Sequence, residues 1–307
     1  MKKKSTKTSL FHYFKEVDSS ADRPLHESTD DITDSLGFYA FSKKTESRFL
    51  NRFSDADIMR IMKKVDLLDH LSAKGFDRIM VRIERDEALV NYLKIYDSDI
   101  SPDRLLIDLR LTESKFIPER GTFDSKNDFS ALDMIVIEWL SIQNPSTEFP
   151  SDKPQLPGQR RPGLGALKFM MEMMYLVAKE VIRDGFLDIP DHMHGAIMYS
   201  SKFKFFNPIH EAILRAILRD LSAYSLSDVS WGMITNTVID RQTGGPQAYK
   251  PTEQIFAVSR RLRNYFSSRD YIKRFKEEYK KRKYHMDYER MCELRANILK
   301  DKSVVDL

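Results

Sequence analysis

Cysteine is nearly missing from this chain of 307 residues, in which Cys292 stands alone. One cysteine excludes an intramolecular disulfide and any zinc site that several cysteines would build. A chain so poor in cysteine is typical of a reducing compartment, so we expect a cytoplasmic protein. Its stability must then come from a hydrophobic core, and a hydrophobic content of 41% is enough to form one.

Long apolar runs are missing as well. No stretch of about 18 consecutive apolar residues occurs, so we expect no transmembrane helix. The basic start Met1-Lys2-Lys3-Lys4 is followed by Ser-Thr-Lys-Thr, where a secretory signal would need an apolar segment. The net charge of +4 at pH 7 is too small by itself to indicate a nucleic-acid partner, so the distribution of charge matters more.

Composition divides the chain into three parts. Residues 1–35 contain few large apolar residues and predict a poorly ordered N-terminal tail. Residues 36–258 carry the apolar patterns of strands and helices and predict one folded domain. Residues 259–307 are highly charged and predict a basic helical C-terminal extension.

The apolar patterns of the middle part predict an α/β, or α+β, fold with a mixed twisted sheet that helices flank. The run over 134–137 is typical of a central strand buried on both faces, and the long run over 165–183 predicts a largely buried helix. Further helices are predicted after Ser54, around Tyr199 and over 209–221. The other predicted strands cover 36–41, 76–83, 88–96, 105–111, 186–189, 231–239 and 249–258, of which the last two flank a Thr-Gly-Gly-Pro turn and predict a hairpin.

A glycine-rich turn leads into the long helix. Gly163 and Gly165 have no side chains, so backbone N–H groups there can approach an anion closely. The N-terminus of the following helix adds unpaired N–H groups and the positive end of its dipole. The turn therefore predicts a phosphate site, although a loop-to-helix junction without a ligand has the same pattern.

The segment Arg160-Arg161-Pro162-Gly163-Leu164-Gly165 resembles the (Arg/Gln)-x-x-Gly-x-(Gly/Ala) signature of the GNAT superfamily of N-acetyltransferases. The order of strand, glycine-rich turn, long helix, short strand and Tyr-bearing helix is similar to that family too. The resemblance implies a GNAT-like acyl-CoA fold over residues 36–258. It also implies acetyl-coenzyme A as the cofactor and transfer of its acetyl group to an amine by direct attack.

Roles for particular residues follow from the resemblance. The strand that carries Leu140 and Ser141 would lie beside the pantetheine arm and supply a backbone N–H to the tetrahedral oxyanion. Tyr199 would lie near the cofactor sulfur, because Gly195-Ala196-Ile197-Met198-Tyr199 falls where the family usually has Ala-x-x-x-Tyr. The residues that would hold the pyrophosphate are Arg160, Arg161, Gly163, Leu164, Gly165 and Ala166.

Three residues are candidates for the chemistry. Glu138 interrupts an apolar strand, where a buried carboxylate would act as the general base, and the alternatives are a solvent-facing residue or a structural ion pair. Tyr199 would protonate the leaving thiolate as a general acid, unless it packs into a cluster with the phenylalanines that follow it. His192 stands at the mouth between a strand and a helix and is a candidate for substrate binding or proton relay.

The sequence predicts no metal site. His192 and His194 are two residues apart, a spacing that points both side chains the same way only on a strand. Pro190 has already ended the strand, and no third ligand lies nearby in the sequence.

The basic segment over 260–283 has two interpretations. It contains eleven Lys or Arg against three acidic residues, with five aromatic residues between them. Such a segment can dock on nucleic acid, an acidic protein or a membrane surface, as part of a GNAT-like binding module without turnover. It can equally be a solvated helix whose aromatic stripe packs on the domain.

Overall fold

The computed structural model of the protein describes residues 47–118, 131–150, 155–181 and 183–301, together with Val304. The predicted N-terminal tail and the strand predicted over 36–41 lie outside these residues. A short 3-10 turn, Pro102–Arg104, precedes the third strand. In chain order the described helices and strands are α1 (Asp55–Lys64), α2 (Leu67–Ser72), β1 (Ile79–Arg85), β2 (Asn91–Asp97), β3 (Leu105–Phe116), β4 (Leu132–Ile142), α3 (Leu167–Val181), β5 (Gly185–Asp188), α4 (Met193–Tyr199), β6 (Lys204–Phe205), α5 (Pro208–Asp220), α6 (Leu226–Ile234), β7 (Val238–Asp240), β8 (Gln254–Ala257), α7 (Arg260–Phe266), α8 (Arg269–Lys281), β9 (Tyr284–Met286) and α9 (Tyr288–Asp301).

Seven strands form a mixed, mostly antiparallel sheet that helices flank, as the sequence predicts. The strand order is β1-β2-β3-β4-β5-β8-β6. The first four strands form an antiparallel meander, β4 and β5 pair in parallel, and β8 pairs antiparallel with both β5 and β6. The single parallel pair, which joins the two antiparallel parts, includes the apolar run over 134–137.

Alternation along the strands divides the side chains between two faces of the sheet. The front face is covered by α1, α2 and α3, which form a front core with residues such as Leu109, Ile135 and Phe186. The back face near β4, β5 and β8 carries a back core that includes Met134 and Leu187. A third cluster, the helical core, lies between α4, α5 and α6.

The hairpin predicted from 231–239 and 249–258 is wrong. Residues Leu226–Ile234 form α6, because Ser225 and Asp228 make a reciprocal capping box that starts a helix. Seven of the nine residues of α6 are buried, so its short apolar run lacks the polar face that would mark a helix. The two strands near this turn belong to different sheets, since β7 pairs with β9 and β8 pairs with β5 and β6.

The basic segment after residue 259 packs onto the domain. Tyr265 and Tyr271 are buried in the back core, and their hydroxyl groups donate to the backbone oxygens of Phe206 and Phe205, each at 2.8 Å. Further along, β9 supplies the partner strand for β7. The aromatic stripe of this segment therefore docks on the fold, as one of the two interpretations predicts.

Candidate active site

The parallel pairing of β4 and β5 ends in the middle of the sheet, so the rest of β4 has an open edge on this side. Their parallel pairing covers only Met134 to Val136 of β4 and Gly185 to Leu187 of β5. Strand β4 then continues to Ile142, whereas β5 ends at Asp188. We call the gap beyond Val136 and Leu187 the β4/β5 cleft. It lies at the carboxyl ends of two parallel strands, which is where sheets with parallel strands commonly bind ligands.

Backbone N–H groups of β4 point into this cleft. The amide of Gln143 donates to the backbone oxygen of Leu106 at 2.9 Å, which makes these two residues a hydrogen-bonded pair. Pairs in an antiparallel ladder alternate between bonded and non-bonded, and the next pairs keep the same register. The N–H groups of Leu140 and Ile142 therefore point away from β3 and toward the cleft, whereas Ser141 pairs with β3.

The glycine-rich turn packs against the same open edge of β4. Pro162 accepts a hydrogen bond from the amide of Asn144 at 2.7 Å. A Cβ atom on Gly163 would lie 3.8 Å from the backbone oxygen of Ile142, so the turn is close to the strand without crowding it. The amides of Gly163, Leu164 and Gly165 donate no hydrogen bond to any residue that the structure describes.

The turn is held rigidly and leads into α3. Leu164 and Ala166 are buried, and the Nε2–H of His70 donates to the backbone oxygen of Leu164 at 2.9 Å. Gly165 has a φ of +70°, which a residue with a side chain adopts only at a cost. Ala166 accepts the first helical hydrogen bond, from Met170, and α3 begins one residue later. The free amides and the positive end of α3 thus lie beside the end of β4.

The two arginines of the turn are on the surface. Arg161 donates to the backbone oxygen of Pro145 at 3.1 Å and pairs with Asp103 at 3.6 Å. Arg160 is exposed and makes no ion pair with a described residue. Both residues directly precede the glycine-rich turn in the chain.

Glu138 does not have the buried environment that its predicted role as a base requires. It is exposed, and its Oε1 accepts a hydrogen bond from the hydroxyl of Thr112 at 2.5 Å. The register of β3 and β4 shifts here, because Arg110 pairs with Trp139 and Leu111 with Ile137, which leaves Glu138 as a β-bulge. Thr112 pairs with Val136, which packs on the back core, so Glu138 lies on the back face.

Tyr199 lies on the front face, and the structure therefore separates it from Glu138. The ring of Tyr199 is half-buried and packs against Phe203, with 5.3 Å between the ring centroids. Phe203 in turn contacts Phe256 of β8. The tyrosine joins an aromatic cluster on the front core, which is the alternative that the sequence leaves open for this residue.

His192 is the residue immediately before α4. It is half-buried and stacks on His194, with 5.2 Å between the ring centroids. Burial lowers the pKa of His192, while the nearby Asp191 acts in the opposite direction. His194 shares a hydrogen bond with the hydroxyl of Ser230 at 3.0 Å. Among the described residues, no group of three or more His, Cys, Asp or Glu is arranged to hold a metal ion.

Asp188 is a functional candidate that the analysis of the sequence misses. It is the last residue of β5, at the point where the cleft opens, and only 8% of it is exposed. Burial is the main cause that raises the pKa of Asp188 to about 7, and the charge of Asp191 adds to it. The signal was present in the sequence as a single carboxylate within the apolar strand Phe186-Leu187-Asp188-Ile189.

A separate cavity of about 220 Å³ lies beside the helical core, between α4, α5 and the loop over 247–250. Its walls are mainly apolar, with Met193, Phe205 and Ile213 among them, and Tyr249 and Lys250 also line it. His210 lines it with an Nδ1 atom that is buried and has no hydrogen-bond partner in the described part of the chain. None of the site residues predicted from the sequence lines this cavity.

No helix in the described ranges is long and apolar enough to cross a membrane. Comparisons of the chain with protein-family models, with curated proteins and with solved structures gave no match.

Proposed function

We propose that the protein transfers an acyl group, most simply acetyl, from acetyl-coenzyme A to an amine by direct attack. The observation that carries this proposal is the β4/β5 cleft, where free amides of β4 and of the glycine-rich turn border one opening. A GNAT-like arrangement, which the sequence resembles, is compatible with the mixed sheet and its single parallel pair.

In this proposal the turn binds the pyrophosphate of the cofactor. Amides of Gly163, Leu164 and Gly165 donate to the phosphate oxygens, and the N-terminus of α3 adds its positive potential. Arg160 and Arg161 supply charge from the surface. The pantetheine arm then runs along the open edge of β4 toward Val136, where the cleft narrows.

The acyl carbon lies deeper in the cleft, beside Leu140. The amide of Leu140 donates to the oxyanion that forms when the amine attacks the thioester, which stabilises charge that is absent from the ground state. Tyr199 is the candidate that returns a proton to the thiolate of coenzyme A, because it is on the front face with the end of β5. Glu138 is exposed on the back face, away from Tyr199, so its role in this proposal is to form the bulge that shapes β4.

Titration calorimetry with acetyl-coenzyme A tests the proposal. Wild-type protein is expected to bind with a dissociation constant of about 1 to 100 μM, in the range of common substrate affinities. Gly163→Glu places bulk and a negative charge against the phosphate site, so it is expected to weaken binding by about 100-fold or more. Gly163 has an ordinary φ, and a Cβ there would make only a normal contact, 3.8 Å from the backbone oxygen of Ile142, so the fold can accept the change.

Gly245→Glu is the matched control. It introduces the same side chain at a turn before β8 where the nearest atom to a Cβ is also 3.8 Å away. Binding equal to the wild type in this variant, together with loss in Gly163→Glu, supports the cofactor site. Wild-type protein that fails to bind acetyl-coenzyme A, or equal losses in both variants, contradicts it.

A second function is favoured by one surface feature, a basic row on α8. The row is exposed, spans one side of the helix and makes no ion pair with any described residue; it consists of Arg269, Lys273, Lys276 and Lys280. The exposed Ile272 adjoins it. Spacings of four, three and four residues keep these cations on one stripe, which fits a polyanion such as nucleic acid or an acidic protein.

Charge reversal distinguishes this function from acyl transfer. Changing Lys273, Lys276 and Lys280 together to glutamate is expected to abolish binding to single-stranded RNA. For the wild type, the logarithm of the association constant should fall with the logarithm of the salt concentration with a slope near three. The control reverses three exposed lysines that lie in α1 or just after α2, namely Lys63, Lys64 and Lys74. Equal effects of the two triple variants would show that the binding is non-specific electrostatic attraction. Deletion of the segment is unsuitable as a test, because its aromatic residues belong to the core.

A further inference from the structure

Two buried oxygen atoms at the end of β5 have no hydrogen-bond donor. The Oδ2 atom of Asp188 and the Oε1 atom of Gln254 are both buried and have no partner among the described residues. The two residues stand directly opposite each other in the β5–β8 ladder, so their side chains share one face. Directly opposed residues have Cβ atoms about 5 Å apart, so the two side chains are close neighbours.

The orientation of Gln254 is fixed by the fold. Gln254 is completely buried, and its Nε2 donates to the backbone oxygen of Ala196 on α4 at 3.1 Å. With its amide nitrogen engaged in this way, the carbonyl end of the side chain must point elsewhere. A buried acceptor without a donor costs about 1 to 3 kcal/mol, so a protein keeps a pair of them only where something supplies donors.

The neighbouring polar groups do not supply these donors. The hydroxyl of Tyr249 donates to the backbone oxygen of Pro190 at 2.7 Å, and His194 bonds Ser230. The charge of Asp191 acts on Asp188, but neither Asp191 nor any other described residue donates a hydrogen bond to the two orphaned oxygens. Only the backbone amide of Ile189 favours the ionised form of Asp188.

We propose that Asp188 and Gln254 hold the ammonium group of the acceptor, and that this ammonium replaces a proton that the pair shares when no substrate is bound. A protonated carboxyl can donate to an amide oxygen, which satisfies both atoms with one hydrogen. A primary ammonium brings three N–H donors and a positive charge, so it satisfies both atoms once that hydrogen has left. The proposal rests on the acyl transfer proposed above and names the side of the cleft from which the acceptor approaches.

The position of Asp188 suits the transfer. It is the first residue of β5 beyond the parallel pairing with β4, so it borders the β4/β5 cleft. Asp188 and Phe186 are two residues apart on the strand, which places the carboxylate on the front face with Tyr199. The acceptor nitrogen would thus lie between the carboxylate and the cofactor thioester.

The proton balance of the reaction follows from this arrangement. The ammonium gives one proton to Asp188, and the neutral amine attacks the acyl carbon, so that a C–N bond forms and the C–S bond breaks. The attacking nitrogen loses a second proton, which reaches the leaving thiolate through Tyr199, and it keeps one hydrogen in the amide product. Asp188 then returns its proton to solvent or holds it until the next ammonium arrives.

A carboxyl titration by nuclear magnetic resonance tests directly whether an ammonium group replaces the proton on Asp188. Protein labelled with carbon-13 at the aspartate carboxyl groups is titrated with pH in n-butylammonium chloride and in sodium chloride of equal concentration. Asp188→Asn identifies the resonance. Butylammonium is expected to lower the midpoint of the Asp188 titration by about one pH unit or more, which equals a tenfold preference for the ionised carboxylate.

One variant and its matched control show whether the effect of butylammonium depends on the pair of Asp188 and Gln254. Gln254→Met keeps the length of the side chain and removes its oxygen, so it is expected to reduce the effect of butylammonium at least about threefold in affinity. Gln242→Met makes the same change on an exposed turn and is expected to leave the effect intact. Thermal unfolding of each variant checks that the fold is retained.

The outcomes separate this inference from the proposed function. Equal midpoints in butylammonium and sodium chloride would overturn the ammonium site, because a water molecule between the two oxygens gives that result. An effect that survives in Gln254→Met would overturn the pairing of the two residues. A specific butylammonium effect in protein that does not bind acetyl-coenzyme A would leave the amine site standing and remove the acyl transfer.

Discussion

Replacing Gly185 with alanine is expected to destabilise the protein by at least about 3 kcal/mol, at the upper end of the cost of overpacking. A Cβ atom on Gly185 would lie 2.3 Å from the backbone oxygen of Phe256, and backbone atoms cannot move aside as a side chain does. Gly185 pairs with Met134 on one side and Ala257 on the other, so any shift separates the two parts of the sheet. Denaturant unfolding followed by circular dichroism measures the loss.

Two other glycines give a graded control for this result. Gly195→Ala brings a Cβ to 3.2 Å from a side-chain atom of Pro190, and Gly245→Ala brings it no closer than 3.8 Å to any neighbour. We expect an intermediate loss for the first variant and a change within about 0.5 kcal/mol for the second. A loss at Gly185 no larger than that at Gly245 would contradict the close contact between β5 and β8.

The second large effect is a dependence of stability on pH that Asp188 causes. Burial and the nearby Asp191 raise the pKa of Asp188 to about 7 in the folded protein, whereas an aspartate in the unfolded chain has a pKa near 4. Between these values the folded state holds a proton that the unfolded state has lost. The contribution of Asp188 to the free energy of unfolding of the wild type is therefore fully present below about pH 4. It falls by up to about 1.4 kcal/mol per pH unit as pH rises to 7.

Asp188→Asn removes this dependence. The free energy of unfolding of the variant minus that of the wild type is expected to rise with pH between about 4 and 7, to a total of about 2 to 4 kcal/mol. Titrating groups that do not interact with Asp188 contribute equally to both proteins and cancel in the difference. A constant difference across this range would show that the carboxyl of Asp188 is solvated in the folded protein.

His194 provides the opposite slope as an internal comparison. Burial, and then the neighbouring His192, lower the pKa of His194 to about 4, whereas an unfolded histidine titrates near 6.5. The unfolded state takes up a proton first as pH falls, so the stability that His194 contributes is lost from about pH 6.5 down through 4. His194→Asn should therefore gain stability relative to the wild type as pH falls, while Asp188→Asn gains as pH rises.

Much of the fold could be predicted because its elements carry strong local patterns. The strands β1 to β4 alternate apolar and polar residues or run through a buried region, and α3 is apolar over many turns. The prediction failed at α6, where burial on all sides removed the polar face and an apolar run read as a strand. The partners of β8 were also hidden, because pairing between distant segments leaves no local trace in the sequence.

In the candidate site, too, features that depend on local sequence could be predicted, and features that depend on strand pairing could not. The glycine-rich turn is recognisable in the sequence because the anion binding that we propose for it depends on backbone shape, which Gly163 and Gly165 mark directly. The direction of a single side chain depends on register, and the bulge in β4 places Glu138 on the back face. Asp188 and Gln254 meet only through the pairing of β5 with β8, so neither residue signals its partner in the sequence.

Amide hydrogen exchange with and without coenzyme A tests the central claim most directly, because it reports the N–H groups that the account assigns to the cofactor. Added coenzyme A is expected to slow exchange at Leu140 and Ile142 on the open edge of β4 and at the turn over 163–165. Exchange at the remote Gly245 turn should stay unchanged. Slowed exchange confined to other parts of the chain, or no change at β4 and the turn, would contradict the account.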